Sequence, residues 1–414
     1  DEDRNTIIEL VLYIKDVEDK KTSLVREKTE LAKIKDEVDR QSKLLGDEIA
    51  GTKQKIAQLS ARQQSLIASK LASLNIPRSA GTSARGCSDD RGVDPGFSPR
   101  LAFFTYGAPH RNGLNQYGAK GRADAGQNAE QMLGEYYPNL SLKKDYDQNA
   151  QVNVDGNGTF SIEDYTKRIY EVPADWPMET LKAQAVAART YALNSMQRNG
   201  HICTTEACQV FQANEKGGRW NEAVDATKGW VMMDGGAPGF TQYASTHGGY
   251  ILNLGKFDGS GGTPGSFGEL NERAYDKASP WFYCDWGARG EYSNTAWLKT
   301  NEVADIVNAI SLAKRDASIG EHLYQTDKPN PAGTDTWDSE KVKSELRSRG
   351  GSAYNNVSDI SMSVDFGSGK TSSVNVSGDA GSTSFSASEF KDWFNLRAPA
   401  NIQIVGPLFN AEKR

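Results

Sequence analysis

The chain has 414 residues, enough for about two or three domains and a sizeable core. Its net charge of −6 and sequence pI of about 5.5 argue against a nucleic-acid partner, since no basic stripe stands out beyond the N-terminal helix. Mean hydropathy is −0.63 and no apolar run approaches the roughly 20 residues that span a bilayer, so a soluble, loop-rich chain is expected; no signal-peptide pattern opens it.

Residues 1–76 read as a helical arm. Leu10, Val17, Leu24, Leu31, Val38 and Leu45 recur every seven residues, and Ile7, Ile14, Ile49 and Ile56 fill the alternate core position. Lys21, Lys28, Lys35 and Ser42 interrupt that second row. The pattern predicts a coiled-coil seam whose polar middle weakens association and keeps oligomer number low. One long helix or a hairpin bent near Gly46 and Gly51 both satisfy it, and so do a docking arm and a simple dimer. Residues 77–99, with "IPRSAGTSARGCSDDRGVDPGFSPR", read as a linker by composition.

The globular part is expected over residues 100–410. A strand starts at Leu101 to Thr105, followed by a Gly-rich turn and helices near 116–125 and 128–137. "VNVDGNGTFSI" reads as a hairpin about Asp-Gly and Asn-Gly turns, with "TKRIYEV" as a further strand. A helix spans roughly 177–194 with Pro177 in its first turn. Its stripe of Leu181, Ala185, Ala188 and Ala192 is spaced 4, 3 and 4. Side chains that small suit a helix pressed against its neighbours rather than one on the surface. A short helix and two strands follow over 222–252, then helices at 301–316 and 339–348. The tail is a strand meander with a short helix at 388–394, capped by Ser386 or Ser388. Helices and strands mix without a regular βαβ rhythm, so the fold class is α+β.

The cysteines are Cys87, Cys203, Cys208 and Cys284. An even number in a Gly/Ser/Asn-rich chain fits an exported, disulfide-bearing protein. In "HICTTEACQVF", Cys203 and Cys208 suit a short-loop disulfide, while His201, Cys203 and Cys208 are the alternative, a zinc site. If the first pair forms, Cys87 with Cys284 is the second bridge. No other cofactor is indicated.

Four separated blocks carry a family likeness. They are "EVPADWPMETLKAQAVAARTYAL"; "CTTEACQVFQANEKGGRWNEAVDATKGWVM" followed by "YASTHGGY"; "NGLNQYGAKGRADAGQNAEQMLGEYYPN"; and "FSASEFKDWFNLRAP". Together they resemble the SpoIID/LytB family, which joins a stage II sporulation protein with an amidase enhancer. The resemblance implies an envelope or extracellular protein acting on peptidoglycan glycan strands. The block with Gln-Tyr-Gly-Ala precedes the glutamate block here, whereas it follows in sporulation members. The family's Gly-His-Gly reads "GAPHRNG" around His110.

The resemblance assigns Glu171 the catalytic role of a lytic transglycosylase. Neutral, it protonates the glycosidic oxygen. As carboxylate, it takes the proton of the muramic acid C6 hydroxyl, which closes a 1,6-anhydro ring, so the second carboxylate of ordinary glycosidases is not needed. Such an acid belongs in a partly desolvated cleft, for which Tyr170, Val172 and Trp176 would supply the wall. A loop carboxylate near a helix N-terminus is the structural alternative. Arg189 matches a family arginine implicated in activity. It lies 12 residues past Pro177, about 18 Å along a helix, so an ion pair of purely structural value explains it equally. Gln116, Tyr117, Gln209, Ser245 and His247 are candidate glycan-binding residues, the last two beside a Gly-Gly pair that permits close backbone approach. The other reading is a non-catalytic enhancer that binds wall and recruits or activates a second hydrolase. The arm would serve that hydrolase or a second copy of the chain.

Overall fold

The computed structural model describes residues 2–72, 87–107, 110–287 and 289–414. The chain separates into two compact units, Asp1–Arg62 and Gln63–Arg414. The first is carried by an unbroken helix, Glu2–Ala72. Gly46 and Gly51 lie inside it and do not bend it into a hairpin. Part of the expected linker, residues 77–86, lies outside the described residues. Residues 87–99 are not a linker. Cys87–Ser88 forms a short strand, and Cys87 is bonded to Cys284. By loop closure alone a crosslink across 197 residues contributes about 5 kcal/mol.

The second unit is α+β, as the mixed pattern predicts. Its main sheet is built on Arg100–Tyr106. One edge of that strand pairs with Tyr283–Trp286 and Leu298–Lys299, the other with Phe409–Lys413. The last strand runs three residues beyond the expected end of the domain at 410. Both faces of the central strand are buried, which is why it reads as one apolar run rather than an alternation. Leu101 and Phe103 pack on the helices Thr300–Arg315 and Ala387–Arg397 and on the antiparallel meander Val357–Asp365, Lys370–Gly378 and Gly381–Ser386. Ala102, Phe104 and Tyr106 face Tyr250, Phe257 and Trp297. Ser386 caps the tail helix, its hydroxyl accepting from the Glu389 N–H.

The alanine-rich helix spans Met178–Asn199, with Pro177 at its N-cap and Gly200 in the left-handed conformation at its end. Leu181, Ala185, Ala188 and Ala192 pack on Tyr165, Ile169, Trp220 and Val224, the expected stripe. A second buried face, Ala183, Val186 and Ala187, meets Met132, Leu133 and Tyr136 of the helix Ala129–Tyr136. Methyl-sized side chains let neighbours approach on two sides at once, where larger ones would overpack. The helix is therefore central to its half of the unit.

The predicted hairpin forms as Gln151–Val154 and Gly158–Ser161. The strand expected from "TKRIYEV" does not. Ser161 accepts from the Asp164 N–H and caps a short helix, Ile162–Thr166, and only Ile169 pairs, in a single bridge to Phe211.

Candidate active site

That bridge positions the glutamate. The Tyr170 N–H donates to the Val210 carbonyl at 2.8 Å, and the Val210 N–H donates to Glu171 Oε1 at 2.7 Å. Segments 169–171 and 210–211 thus lie side by side, and the carboxyl group is held by the backbone of the segment that pairs with its own. Glu171 is only 3% exposed, yet it reaches a cavity of about 140 Å³ lined by His110, Tyr191, Cys208, Gln242 and Tyr243, with Glu206 and Ala207 at the loop. A buried carboxyl opening into a polar-and-aromatic cavity is the arrangement that a proton donor requires.

The wall is aromatic, but not from the residues expected. Val172 and Trp176 are packed into the core around the alanine helix, and the Tyr170 hydroxyl donates to the Asn214 carbonyl. Tyr191 and Tyr243 take their place. Burial raises both above the ordinary tyrosine range, and the charge of Glu171 adds to the effect, so both stay protonated as hydroxyl donors. Gln209 fixes Tyr243 from behind. Its Nε2 donates to the Tyr243 hydroxyl at 2.7 Å and to the Ala188 carbonyl, and its Oε1 accepts from Tyr165. Gln209 is therefore a support for the cavity rather than part of its lining. The proton of the Tyr243 hydroxyl, which accepts from Gln209, points elsewhere.

Cys203 and Cys208 are bonded to each other. The zinc alternative is thereby overturned, since no thiolate pair remains, and His201 Nδ1 lies against Asp155 at 2.9 Å. Among the described residues no group of three metal-ligating side chains converges. The disulfide instead closes the loop that carries Glu206 and Ala207 and ends two residues before Val210.

The remaining expected residues are not among those that line this cavity. Arg189 is fully buried and bonded to Glu163 at 2.6 Å, with further donation to the carbonyls of Val224 and Trp230. Its partner Glu163 lies in the short helix at 162–166. Gln116 opens the helix Gln116–Asp124 and is buried, while Tyr117 packs edge-on against Trp176 at 4.9 Å. Ser245 and His247 are fully buried. Burial drives the His247 pKa well below the ordinary value, with the nearby His110 and Arg111 acting in the same direction, so its ring is neutral. The Gly-Gly pair approaches the chain itself, not a ligand. A Cβ on Gly248 would stand 2.4 Å from the Tyr106 carbonyl carbon, and one on Gly107 would meet His247 at the same distance. Below this turn, Asp276 Oδ2 accepts from Asn115, Thr246 and the His247 N–H. The block with Gln-Tyr-Gly-Ala and the block with Thr-His-Gly-Gly are thus tied by one buried carboxylate.

Tyr191, Tyr243 and Glu206 were not singled out from sequence. Tyr191 carried a signal: it is the large aromatic in a helix of alanines, two residues past Arg189 and so on another face. His110, noted only as a displaced family histidine, lines the cavity.

Lys216 sits beside this site. Its ammonium donates to the Val172 carbonyl and lies 5.2 Å from the centre of the Trp220 ring. Burial pushes its pKa down to about 8, opposed by the charge of Glu171.

Comparison with known proteins gives partial matches. Residues 153–233 match the sequence model of SpoIID, described as Stage II sporulation protein. A stretch of 125 residues, 28% of this chain, is 36% identical to an uncharacterized protein of Brachyspira hyodysenteriae and spans 32% of it. A stretch of 80 residues, 19% of this chain, is 40% identical to the amidase enhancer of Bacillus subtilis and spans 11% of that protein. The chain thus covers about a third or less of these relatives. No solved structure matches.

Three outcomes follow from this geometry. Arg189→Leu leaves Glu163 buried without its cation and should lower unfolding stability by about 3–5 kcal/mol, whereas Tyr191→Phe should change it by less than about 1 kcal/mol; urea denaturation reads both. The Lys216 charge is disfavoured in the folded state, so its destabilising effect is full below about 8 and fades as pH rises from there to the ordinary value of 10.5. Stability of the wild type relative to Lys216→Met should therefore rise across that window, as measured by unfolding at each pH.

Proposed function

We propose that the chain acts on the bacterial cell wall as a peptidoglycan lytic transglycosylase with Glu171 as acid and base, a reading supported by the SpoIID match over residues 153–233, which carry Glu171 and Tyr191. The observation that carries the reading is the Glu171 carboxyl, buried, held by the Val210 N–H and open to a cavity walled by two tyrosines. Two disulfides support an oxidising, exported setting. Among the described residues, no helix is long and apolar enough to cross a membrane.

In the proposed reaction a glycan strand lies in the cavity with the bond to be cleaved above Glu171. The neutral carboxyl gives its proton to the glycosidic oxygen as the bond to the anomeric carbon breaks. The resulting carboxylate accepts the proton of the muramic acid C6 hydroxyl as that oxygen bonds to the same carbon. Acid and base are one group, which leaves the step protonated as it began. Tyr191 and Tyr243, kept neutral by burial, present a ring face and a hydroxyl to the sugar. Glu206 is a second carboxylate near the first, and a hydrolase would use it to activate water.

The second reading, a wall-binding enhancer of another hydrolase, is favoured by the name of the Bacillus subtilis relative. It needs the cavity to bind glycan but not Glu171 to transfer protons. The assay that separates them is mass spectrometry of purified glycan strands after incubation. Wild type and Glu206→Gln should release 1,6-anhydro-muramoyl ends, while Glu171→Gln should lower their release by at least about 100-fold, the lower range for a positioned acid–base group. Reducing ends in place of anhydro ends, lost in Glu206→Gln, would make it a hydrolase. No release from any glycan, with binding retained, would make it the enhancer.

A further inference from the structure

Among the described residues, nothing in the arm's own unit covers its row of apolar side chains. Leu10, Val17, Leu24, Leu31 and Val38 are 46–69% exposed, as are Ile7 and Ile14 on the alternate row. On this helix Val17, Leu24 and Val25 line a groove together with Lys20, Lys21 and Lys28. A helix this long that leaves such a stripe in water gains little stability from its own sequence and requires a partner along the stripe.

The middle of the seam restricts what that partner can be. Lys21, Lys28 and Lys35 hold three successive core positions. None of the three makes an ion pair among the described residues, although Lys20 pairs with Asp16 and Arg40 with Glu37 on the same helix. In a parallel, in-register pair of identical chains each lysine would face its own copy across the seam. The residue just before each lysine is the one able to reach across and offset that charge. Those residues are Lys20, Glu27 and Ile34, so the first layer gains another cation, the second one acid and the third nothing. Parallel, in-register self-pairing thus places like charges in three consecutive layers, an arrangement that discriminates against it.

We propose that the arm pairs with a helix from a different protein, one with aliphatic residues at the same heptad spacing and acidic side chains at three successive core positions opposite Lys21, Lys28 and Lys35. The aliphatic rows above and below the lysines bury the remaining seam, and the three lysine–carboxylate layers set register and partner choice. This inference does not depend on how the cavity around Glu171 is read.

The test uses the full chain and synthetic helices of about five heptads that differ only at the three central core positions, which carry Glu in one and Lys in the other. Sedimentation should show the chain alone as a monomer at micromolar concentration. Fluorescence anisotropy should show the Glu helix binding at least about tenfold tighter than the Lys helix, a gap that narrows at high salt. The triple variant Lys21→Glu/Lys28→Glu/Lys35→Glu should reverse the order, and Lys21→Leu/Lys28→Leu/Lys35→Leu should dimerise. These positions are exposed on the helix surface, so neither variant disturbs the globular unit. A wild-type dimer that the leucine variant does not tighten, equal binding of the two helices, or binding of neither would overturn the proposal.

Discussion

One backbone hydrogen bond organises the candidate site: the Val210 N–H donated to Glu171. It joins two segments that are 39 residues apart in the chain, and it turns a loop glutamate into a fixed group. A carboxyl removed from water needs such a partner, since an unmet buried acceptor costs about 1–3 kcal/mol. The residue that carries it also lines the cavity. The segment that supplies the N–H is itself held by the bridge of Ile169 to Phe211 and by the Cys203–Cys208 crosslink.

The alanine helix is what makes room for this arrangement. Its small faces admit neighbours on two sides, and Ala188 offers its carbonyl to Gln209. Gln209 then fixes Tyr243, and Tyr191 projects from the same helix into the cavity. Arg189 belongs to a different layer. Its ion pair with Glu163 locks the helix to the segment that leads into Glu171. Loss of that pair would thus reach the site through folding.

Much of the fold was legible in sequence. The alanine stripe, the Asp-Gly and Asn-Gly hairpin and the heptads of the arm each repeat a local rule many times, so tertiary context had little to override. The "TKRIYEV" strand failed because a serine cap at Ser161 with acids in the first turn drew the preceding residues into a helix. At the site, the local context of Glu171 marked it, but its companions come from distant segments. Gln242 and Tyr243 precede a turn whose glycines looked like a ligand loop. Their actual role, close packing of His247 and Gly248 on Tyr106 and Gly107, depends on a long-range contact that no local pattern encodes. The residues called linker failed for a similar reason: Cys87 gains its place only through Cys284.

The central claim is that a glycan strand sits against Glu171, between Tyr191 and Tyr243. Titrating a short peptidoglycan glycan oligomer into Glu171→Gln protein, and following amide and aromatic signals by NMR, tests it most directly. The Val210 amide and the rings of Tyr191 and Tyr243 should shift together and saturate at one affinity. Saturable shifts confined to other parts of the chain, with those three signals unmoved, would contradict it.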